Sequence, residues 1–556
     1  MATPPSDGTR NGAGRQSARL ANREPLVPSK HVLDTVQGRI LNPATAMPVD
    51  GAPPRSTVYV GPRVTIAWSG RTDLQIERLT AIADRLGWVA TVTRDGRQGE
   101  GKRAYRDRVP ELGLVRLDLT VNEKKATATA PDGWVLIQNA RQEHGPAAMR
   151  GVGLDHVVMV RSDLEANPFH SPTPFHSPTP FHSPTPFHSP TGYSAPVSSY
   201  GAPGSGGRQP VAYVGPPPVR RSDTDVTGRR PVVAVLDTGC GDHPWLRGIV
   251  KQGVRLGSQD IGYVDDESDP EKWFDQVGAL DGGIDAQAGH GTFICGLVHQ
   301  ACPDADILAW RIVGSEGPIV ETDLVDTLRQ IAEVARRHRD DEPGGHPIDV
   351  LNLSMGYYHE TAEDGEFDST LYEILELLGQ CGVAVICSAG NDATSRPMFP
   401  AAFAPWKDRK GPVKNKRGLV PITSVGALNP NLVDDSLFSN AGPWVSTYAE
   451  GAMLLSTIPP FEGGLQPMAR TKAFQRDRAS IDPDDYRGRF ALWSGTSFAA
   501  PLFAGRVAAH LVDGIDPGQD GREDAVKRAR AAVSAAIRDA AARAKKALED
   551  GIPVTP

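Results

Sequence analysis

The sequence contains few cysteines: five in 556 residues, at positions 240, 295, 302, 381 and 387. An odd number of thiols, spread thinly over a chain of this size, argues against a disulfide framework. The cysteines and histidines also show none of the spacings that are typical of a structural zinc site. We therefore expect buried, unpaired thiols and a fold that is stabilised by its apolar core.

Long apolar runs and an excess of positive charge are also missing. No stretch reaches the roughly 18 consecutive apolar residues of a membrane-spanning helix. The opening stretch, MATPPSDGTRNGAGRQSARLANREP, has four arginines and no apolar segment, so it does not resemble a secretory signal. The formal net charge is -8, without a clustered basic stripe. These features predict a soluble cytoplasmic protein with neither a nucleic-acid nor a membrane partner.

Proline and glycine, in contrast, are abundant, at 48 and 58 residues. Such a composition predicts long irregular stretches beside folded domains. Residues 1–55 are rich in proline, glycine, alanine and arginine and have no sustained hydrophobic periodicity. We expect this segment to be a disordered lead.

Residues 56–162 read as a small α+β domain. VTIAW, VATVT, VRLDLTV and LDHVVMV have the composition of strands, whereas DLQIERLTAIADRLGW places its apolar residues on one helical face. DGWVLIQNARQEH predicts a second helix behind Asp132 as its cap. The order is β-α-β-β-α-β, which is the pattern of ferredoxin-like domains.

Residues 163–228 read as a proline-rich linker built around the repeated hexapeptide FHSPTP. Two of the six positions are proline, and the serine and threonine each precede proline, so four positions favour polyproline II. Three residues per turn would then align the repeat histidines about 19 Å apart on one face. A semi-rigid spacer, a stripe that docks a partner and a metal site formed by folding back all remain open. The histidines concerned are His170, His176, His182 and His188.

The second half of the chain carries the residues of a nucleophilic site. Asp237 ends the apolar stretch PVVAVLD, where the carboxyl end of a parallel strand is expected. His290 lies between two glycines before a helix-like run, and Ser497 lies on a glycine-rich turn at the start of another. A serine needs a base to remove its proton, and that base needs a carboxylate to orient it. The three side chains supply these three types of group.

With these residues, the chain resembles the subtilases, the subtilisin-like serine proteases. The matching stretches are VLDTGCGDHPWL, AGHGTFICGLV, LNLSMG, SAGND and SGTSFAAP, which span residues 228–512. The resemblance implies an α/β fold in residues 229–515, with a parallel sheet flanked by helices. Residues 516–556 are rich in alanine, arginine and lysine and predict a C-terminal helix and tail.

The resemblance also implies a serine endopeptidase and a role for each matching residue. Ser497 would attack the scissile carbonyl, His290 would carry the proton, and Asp237 would orient the imidazole. Asn391 would donate to the oxyanion together with the Ser497 amide. The substrate strand and one wall of the main specificity pocket would come from Ser354, Met355 and Gly356, and the opposite wall from Ser388, Ala389 and Gly390. Small and apolar walls favour an uncharged substrate side chain.

The sequence departs from the family in several places. Phe293 and Cys295 replace a common second histidine and a small residue, and Cys240 lies close to Asp237. Two acidic insertions, DDESDPEKWFDQ and HETAEDGEFDS, have no recognisable calcium-ligand spacing, although carboxylates are calcium ligands. We expect solvated acidic loops and no cofactor or metal, with calcium as the open alternative.

In the family, a βαββαβ propeptide often precedes the protease and blocks its site. Residues 56–162 have the size, order and position of such a domain, and an unrelated targeting or sensor domain is the alternative. We therefore expect a latent protease, inhibited in cis by its N-terminal domain and acting on protein or peptide substrates. An inactive subtilase fold that only binds peptides is the competing hypothesis.

Overall fold

The computed structural model describes residues 24–25, 27–28, 30–48, 53–93, 112–125, 129–160, 208–211, 213, 215–278, 282–361, 370–414, 416–463, 470–479 and 485–551. The FHSPTP repeats and most of the second acidic insertion lie outside these residues. Two sheets organise the described part of the chain, one in each half.

The N-terminal sheet has the predicted β-α-β-β-α-β order. Its four central strands run antiparallel in the order β5-β2-β4-β3, and both helices cover one face. The inward side chains of β4 alternate with polar ones, and Val115, Leu117 and Leu119 are buried. Asp132 caps the second helix by accepting from the Val135 amide, as predicted. The elements are β2 (Val58–Ala67), α2 (Thr72–Arg85), β3 (Trp88–Thr93), β4 (Leu114–Val121), α3 (Gly133–His144) and β5 (Val152–Val158).

The prediction of a disordered lead over residues 1–55 is wrong for the part that the structure describes. A short helix, α1 (Lys30–Thr35), is followed by β1 (Gly38–Ile40), which pairs antiparallel with β2. Leu41 then enters the core of the N-terminal sheet. A strand of three residues has too little periodicity to be seen in the sequence, and its order comes from the partner strand.

The second half is built on a seven-stranded, fully parallel sheet in the order β14-β13-β12-β11-β7-β9-β8. Near-continuous apolar strands such as VVAVLD are buried on both faces, because helices cover both sides of the sheet. The strands are β7 (Val232–Asp237), β8 (Val250–Gln252), β9 (Asp306–Arg311), β11 (Val350–Leu353), β12 (Ala384–Ser388), β13 (Thr423–Leu428) and β14 (Thr447–Glu450). The helices are α4 (His290–Ala301), α5 (Glu321–Arg339), α6 (Thr370–Gln380), α7 (Thr496–Ala509) and α8 (Arg522–Glu549).

The two sheets are joined through a short strand of the second half. β10 (Ile319–Val320) pairs antiparallel with β5, so Ile319 lies opposite Val158 and Val320 opposite Val157. The edge of the N-terminal sheet is therefore continued by the chain that leads into α5. This pairing fixes the N-terminal domain against the larger sheet.

The end of the predicted linker is an ordered strand and not part of a spacer. β6 (Gln209–Val211) pairs with β18 (Phe490–Trp493), which also pairs with β15 (Leu454–Thr457). Arg208 is buried just before β6, and its guanidinium donates to the carbonyl oxygens of Ile284, Asp285 and Ala288. This order comes from distant partners, which the local proline content conceals.

The remaining described elements are a hairpin and the last helix. The hairpin is formed by β16 (Arg470–Ala473) and β17 (Arg476–Ala479). The predicted C-terminal helix is α8, and its buried face is mostly alanine, with Val526 and Val533. That face joins the core between α4, α7 and the parallel sheet, so the helix belongs to the fold of the second half.

Candidate active site

Asp237 and His290 form a buried pair at the carboxyl edge of the parallel sheet. Asp237 is the last residue of β7, and its Oδ1 lies 2.6 Å from Nδ1 of His290, the first residue of α4. The Thr238 amide donates to the same oxygen at 2.8 Å. Because the aspartate accepts from Nδ1–H, the lone pair of the neutral ring is left on Nε2. Nε2 is buried and has no hydrogen-bond partner among the described residues.

Ser497 is the second residue of α7, on the turn that follows β18. Its hydroxyl donates to the carbonyl oxygen of Ser354 at 3.4 Å, and the Ser354 hydroxyl donates back to the Ser497 carbonyl at 2.8 Å. Ser354 follows β11, which lies next to β7 in the sheet. These two hydrogen bonds place the start of α7 at the carboxyl end of β11, although the two residues are 143 positions apart in the chain.

Aromatic rings surround the imidazole. The centroid of His290 lies 5.1 Å from that of Phe498 and 5.6 Å from that of Trp493. Phe293, at the position where the family often has a histidine, packs at 4.6 Å from Phe498. The Arg208 guanidinium lies 4.4 Å above the Trp493 ring. These contacts fix the ring plane of His290 and give the phenylalanine at 293 a packing role.

The side chain of Asn391 is oriented by the start of α7. Its Oδ1 accepts from the Thr496 amide at 2.9 Å and from the Thr496 hydroxyl at 2.7 Å. The amide nitrogen therefore points away from that hydrogen-bonded oxygen. A Cβ added at Gly495 would lie 3.4 Å from this nitrogen, so glycine keeps the space beside it open.

The two predicted pocket walls follow neighbouring strands and lie around the Ser497 turn. Ser354, Met355 and Gly356 follow β11, whereas Ser388 ends β12 and is followed by Ala389 and Gly390. Both Met355 and Ala389 are buried in the core, and the Gly390 amide donates to the Thr496 hydroxyl at 3.0 Å. The structure thus places all six residues at one edge of the sheet, close to Asn391.

The end of the N-terminal domain lies on the predicted substrate strand. The Met159 amide donates to the Gly356 carbonyl at 2.9 Å, and the Gly356 amide donates to the Met159 carbonyl at 3.0 Å. The next residue, Val160, is buried and accepts from the Gln287 side chain at 3.1 Å. Both main-chain groups of Gly356 are thus occupied by this chain itself.

A buried ionic cluster joins the domains beside this contact. His156 of β5 is hydrogen-bonded through Nδ1 to Glu321 at 2.6 Å and through Nε2 to Glu360 at 2.7 Å. Although burial opposes the charged ring, the carboxylates of Glu360 and Glu321 raise the pKa of His156 to about 10. Burial lowers the pKa of neighbouring His359 to about 4, so that ring is neutral.

The ligand atoms of His156, His359 and Glu360 lie within 4.8 Å of one another, which is compatible with a metal ion by distance alone. The hydrogen bonds argue against it: both nitrogens of His156 already face carboxylates, and Nδ1 of His359 accepts from the Thr361 amide at 3.0 Å. Ion pairing therefore explains the cluster.

Two described carboxylates of the first acidic insertion have partners within the chain. Asp265 accepts from Arg311 and Ser268, and Asp266 pairs with Lys272, so these carboxylates have cationic and hydroxyl partners. The prediction of solvated loops holds for exposed Asp266 and is wrong for Glu271, which is 5% exposed. A cavity of about 680 Å³ extends from Thr238 past Glu271 to Arg311.

The thiols near the site are buried. Cys240 is 8% exposed and Cys295 is inaccessible, and all five cysteines are unpaired. The Cys240 thiol beside it, together with burial, raises the pKa of Cys295 well above its ordinary value. A protonated, enclosed thiol is a poor nucleophile. These features favour the interpretation as inert thiols.

Sequence reasoning missed Arg208, His156 and Glu271. Arg208 lies in the predicted linker, His156 in a predicted strand and Glu271 in a predicted loop. The partners of each residue are distant in the chain. The signals available were weak: one histidine within LDHVVMV and one glutamate within an acidic run.

The chain has an α/β fold with a parallel sheet, an Asp–His pair at the carboxyl edge of that sheet and a serine at a helix N-terminus. These are the features that the resemblance to the subtilases implies. A family model described as the subtilase family matches residues 228–550. The chain belongs to the subtilase family. The match includes α8 and so extends beyond the domain boundary at residue 515 that the sequence predicts.

Relatives of known activity are distant. An intracellular serine protease of Paenibacillus polymyxa is 25% identical over 296 residues, which are 50% of this chain and 66% of that protein. Serine protease AprX of Bacillus subtilis (strain 168) is 24% identical over 323 residues, 56% of this chain and 63% of that protein. Fervidolysin from Fervidobacterium pennivorans, a keratinolytic enzyme related to subtilisin, has a solved structure that is 17% identical, with a TM-score of 0.41 over 84% of this chain and 56% of its own.

The chain spans between about half and two thirds of the length of three curated relatives that it matches. Among the residues that the structure describes, no helix has both the length and the apolar character needed to cross a membrane.

Proposed function

We propose that this chain is a serine endopeptidase with Asp237, His290 and Ser497 as its catalytic triad. The observation that carries the proposal is the 2.6 Å contact between Asp237 Oδ1 and His290 Nδ1, which leaves Nε2 without a partner. Membership of the subtilase family and the names of the two serine proteases above support the same reaction.

In this proposal, Nε2 of His290 removes the Ser497 hydroxyl proton as Oγ attacks the carbonyl carbon of the peptide bond. The amide of Asn391 and the backbone N–H of Ser497 donate to the resulting oxyanion. His290 then gives the proton to the leaving amine, and the C–N bond breaks to leave an acyl-enzyme. Water then attacks the carbonyl carbon of the acyl-enzyme, with His290 again as the base. The bond to the serine oxygen breaks, His290 returns the proton to Ser497, and the carboxylic acid product leaves.

The hydroxyl of Ser497 must turn from the Ser354 carbonyl towards Nε2 of His290 before it reacts. At 3.4 Å, its present bond is long, and catalytic hydrogen bonds often tighten only when the substrate is bound. The substrate would pair with the backbone of Ser354–Gly356, which selects an extended peptide rather than one sequence. The walls at Ser388–Gly390 favour an uncharged side chain.

A fluorophosphonate probe tests the activated serine directly. Wild type should be labelled at Ser497 once the cleft is open, Ser497→Ala should not be labelled, and the exposed-site control Ser222→Ala should behave as wild type. Peptide hydrolysis should follow the same order. A folded, opened chain that is neither labelled nor active would support the competing peptide-binding scaffold instead.

We further propose that the N-terminal domain inhibits this site in cis. A substrate strand needs the same amide and carbonyl of Gly356 that Met159 occupies, so the two exclude each other. Val160 extends this contact to Gln287, three positions before His290. The comparison proteins give no information on this point, and the proposal depends on these contacts.

Buried polar contacts hold the inhibitory domain in place. Asp155 accepts from the amide and hydroxyl of Thr322, both at 3.0 Å, and so caps α5 across the domain junction. Arg63 balances the Asp155 charge at 3.0 Å, while His156 pairs with Glu321 and Glu360 on the other side of the strand.

Residues 161–207 connect two points that are close together. Val160 contacts Gln287, and Arg208 donates to the carbonyl of the next residue, Ala288. The proline-rich segment therefore does not need to span a distance in this state. We propose that it is a tether, which permits release and rebinding of the inhibitory domain because the effective concentration falls slowly with tether length.

Cutting the tether tests this arrangement. One FHSPTP repeat is replaced by the recognition sequence of a specific protease from another mechanistic class, and peptide hydrolysis is measured before and after cutting. Activity should rise on dilution of the cut chain and remain low in the uncut chain. Equal activity of both at every dilution would contradict inhibition in cis while leaving the protease proposal intact.

A further inference from the structure

Glu271 is a buried carboxyl directly behind the Asp237–His290 pair. Its Oε1 accepts from the Gly291 amide at 2.9 Å, from the Thr292 amide at 3.3 Å and from the Thr238 hydroxyl. Its other oxygen accepts from the Thr292 hydroxyl. All four donors belong to the two stretches that carry Asp237 and His290.

Two of these bonds cap the helix that begins at His290. The capping position before α4 is Gly289, which has no side chain, so the first amides of the helix have no local cap. An added Cβ at Gly289 would come within 2.5 Å of Ile458, and the residue has φ of +78°. Glycine is thus required there, and Glu271 supplies the cap from another part of the chain.

The Thr238 hydroxyl connects Glu271 to the catalytic aspartate. It accepts from the Gly291 amide at 2.6 Å, and its single proton can be given to Glu271 or, at 3.3 Å, to Oδ1 of Asp237. When Glu271 is ionised, the Thr238 hydroxyl donates its hydrogen bond to Glu271. A protonated Glu271 releases the hydroxyl towards Oδ1, where it competes with the Nδ1–H of His290.

The charges around Glu271 make both forms accessible. Burial raises the pKa of Glu271 to about 7, with Thr238 and Thr292 opposing the shift and Asp269 and Asp237 adding to it. Cys295 of α4 also interacts electrostatically with Glu271, while the neighbouring Lys272 pairs with Asp266. The adjoining cavity gives the carboxyl a route for proton exchange.

We propose that Glu271 is a positioning residue whose ionised form holds the catalytic Asp–His pair in place. This inference rests on the proposed function and adds a second ionisation to it. The carboxylate holds the start of α4, keeps the Thr238 hydroxyl away from Asp237 and places a second negative charge behind the imidazole. Each effect is lost when Glu271 takes up a proton.

The pH dependence of kcat/KM tests the inference, with the N-terminal domain released and Glu271→Gln compared with wild type. In wild type, kcat/KM should show an additional fall of about tenfold as the pH drops through about 7, because Glu271 takes up a proton there. Glu271→Gln should lack this step and should keep the lower kcat at every pH, about tenfold below the alkaline wild-type value, with little change in KM. The exposed-site control Glu267→Gln should match wild type.

Two further measurements keep the test decisive. Glu271→Asp retains the charge and should recover the step in the pH profile. The Nδ1–H resonance of His290 in Ser497→Ala should shift as Glu271 takes up a proton, and this shift should be lost when Glu271→Gln is added. Folding of each variant is checked by thermal unfolding. A pH step and a resonance shift that persist in folded Glu271→Gln would overturn the inference, whereas absent activity in folded wild type would overturn the proposed function.

Discussion

Replacing His156 by glutamine should release the proposed inhibitory domain. The imidazolium lies between Glu321 and Glu360, with both ring nitrogens within 2.7 Å of a carboxylate oxygen. Glutamine is similar in size but carries no charge, so the two buried carboxylates lose their shared cation. The loss affects the junction and leaves the proposed triad untouched.

The magnitude follows from the burial of the cluster. His156 is 2% exposed, and Glu321 and Glu360 are 7% and 4% exposed. Removing one partner of such a buried ion pair costs about 3–5 kcal/mol. Because about 1.4 kcal/mol is a factor of ten, the ratio of open to closed chain should rise by about 10²-fold to about 4 × 10³-fold.

The same cluster predicts how the opening of the chain depends on pH. The pKa of His156 is about 10 in the closed state, above the ordinary histidine value near 6.5. The ion pairs of His156 therefore stabilise the closed state fully when the pH is below the ordinary histidine pKa. This stabilisation is lost as the pH rises through about 10. Mild acid should not open the chain, whereas alkaline pH should open wild type more than His156→Gln.

The assay is initial-rate peptide hydrolysis by the uncut chain, with His144→Gln as the matched control in the same domain. Hydrogen exchange at the Gly356 amide measures opening independently of activity. His156→Gln should increase both, and His144→Gln neither. If His156→Gln folds and leaves both rates at the wild-type value, the cluster does not hold the domain and the electrostatic argument is refuted.

Three further outcomes are expected. Asn391→Ala should lower kcat about 10²- to 10³-fold with little change in KM, since its amide acts on the developing oxyanion; an unchanged kcat would exclude that role. Asp349→Asn should lower the unfolding free energy by about 3–5 kcal/mol, because Asp349 is 4% exposed and accepts from Arg229 at 2.6 and 2.7 Å; a thermal midpoint equal to wild type would contradict this. Thiol reagents should not modify Cys240 or Cys295, or slow hydrolysis, until the chain unfolds; rapid labelling in the native state would show the thiols to be accessible.

Much of the fold could be predicted because its signals are local. The βαββαβ order follows from alternating strands such as LVRLDLTV and from helices with one apolar face. Asp237, His290 and Ser497 each lie within a short stretch whose strand-to-turn or turn-to-helix character is evident in the sequence. Only Asp237 ends a strand of the parallel sheet, where functional residues are expected. His290 and Ser497 begin helices, so their places beside it depend on tertiary packing.

The position of the two ends of the linker could not be predicted from its composition. Its proline content predicts a spacer, yet Val160 and Arg208 contact the neighbouring residues Gln287 and Ala288. Local composition sets the stiffness of a segment, but the distance between its ends depends on where two folded parts meet. The short strand β1 in the N-terminal lead is a similar case, since its order depends on β2.

The sequence by itself determined the family motifs, the order of elements and the candidate catalytic residues, because each is encoded over a few consecutive positions. Only the tertiary structure decided which acidic residues are buried and what they contact. Glu271 and Asp266 belong to one acidic run, but one caps the helix of His290 while the other pairs with a lysine at the surface. Burial is a property of the packed chain, and charge alone does not reveal it.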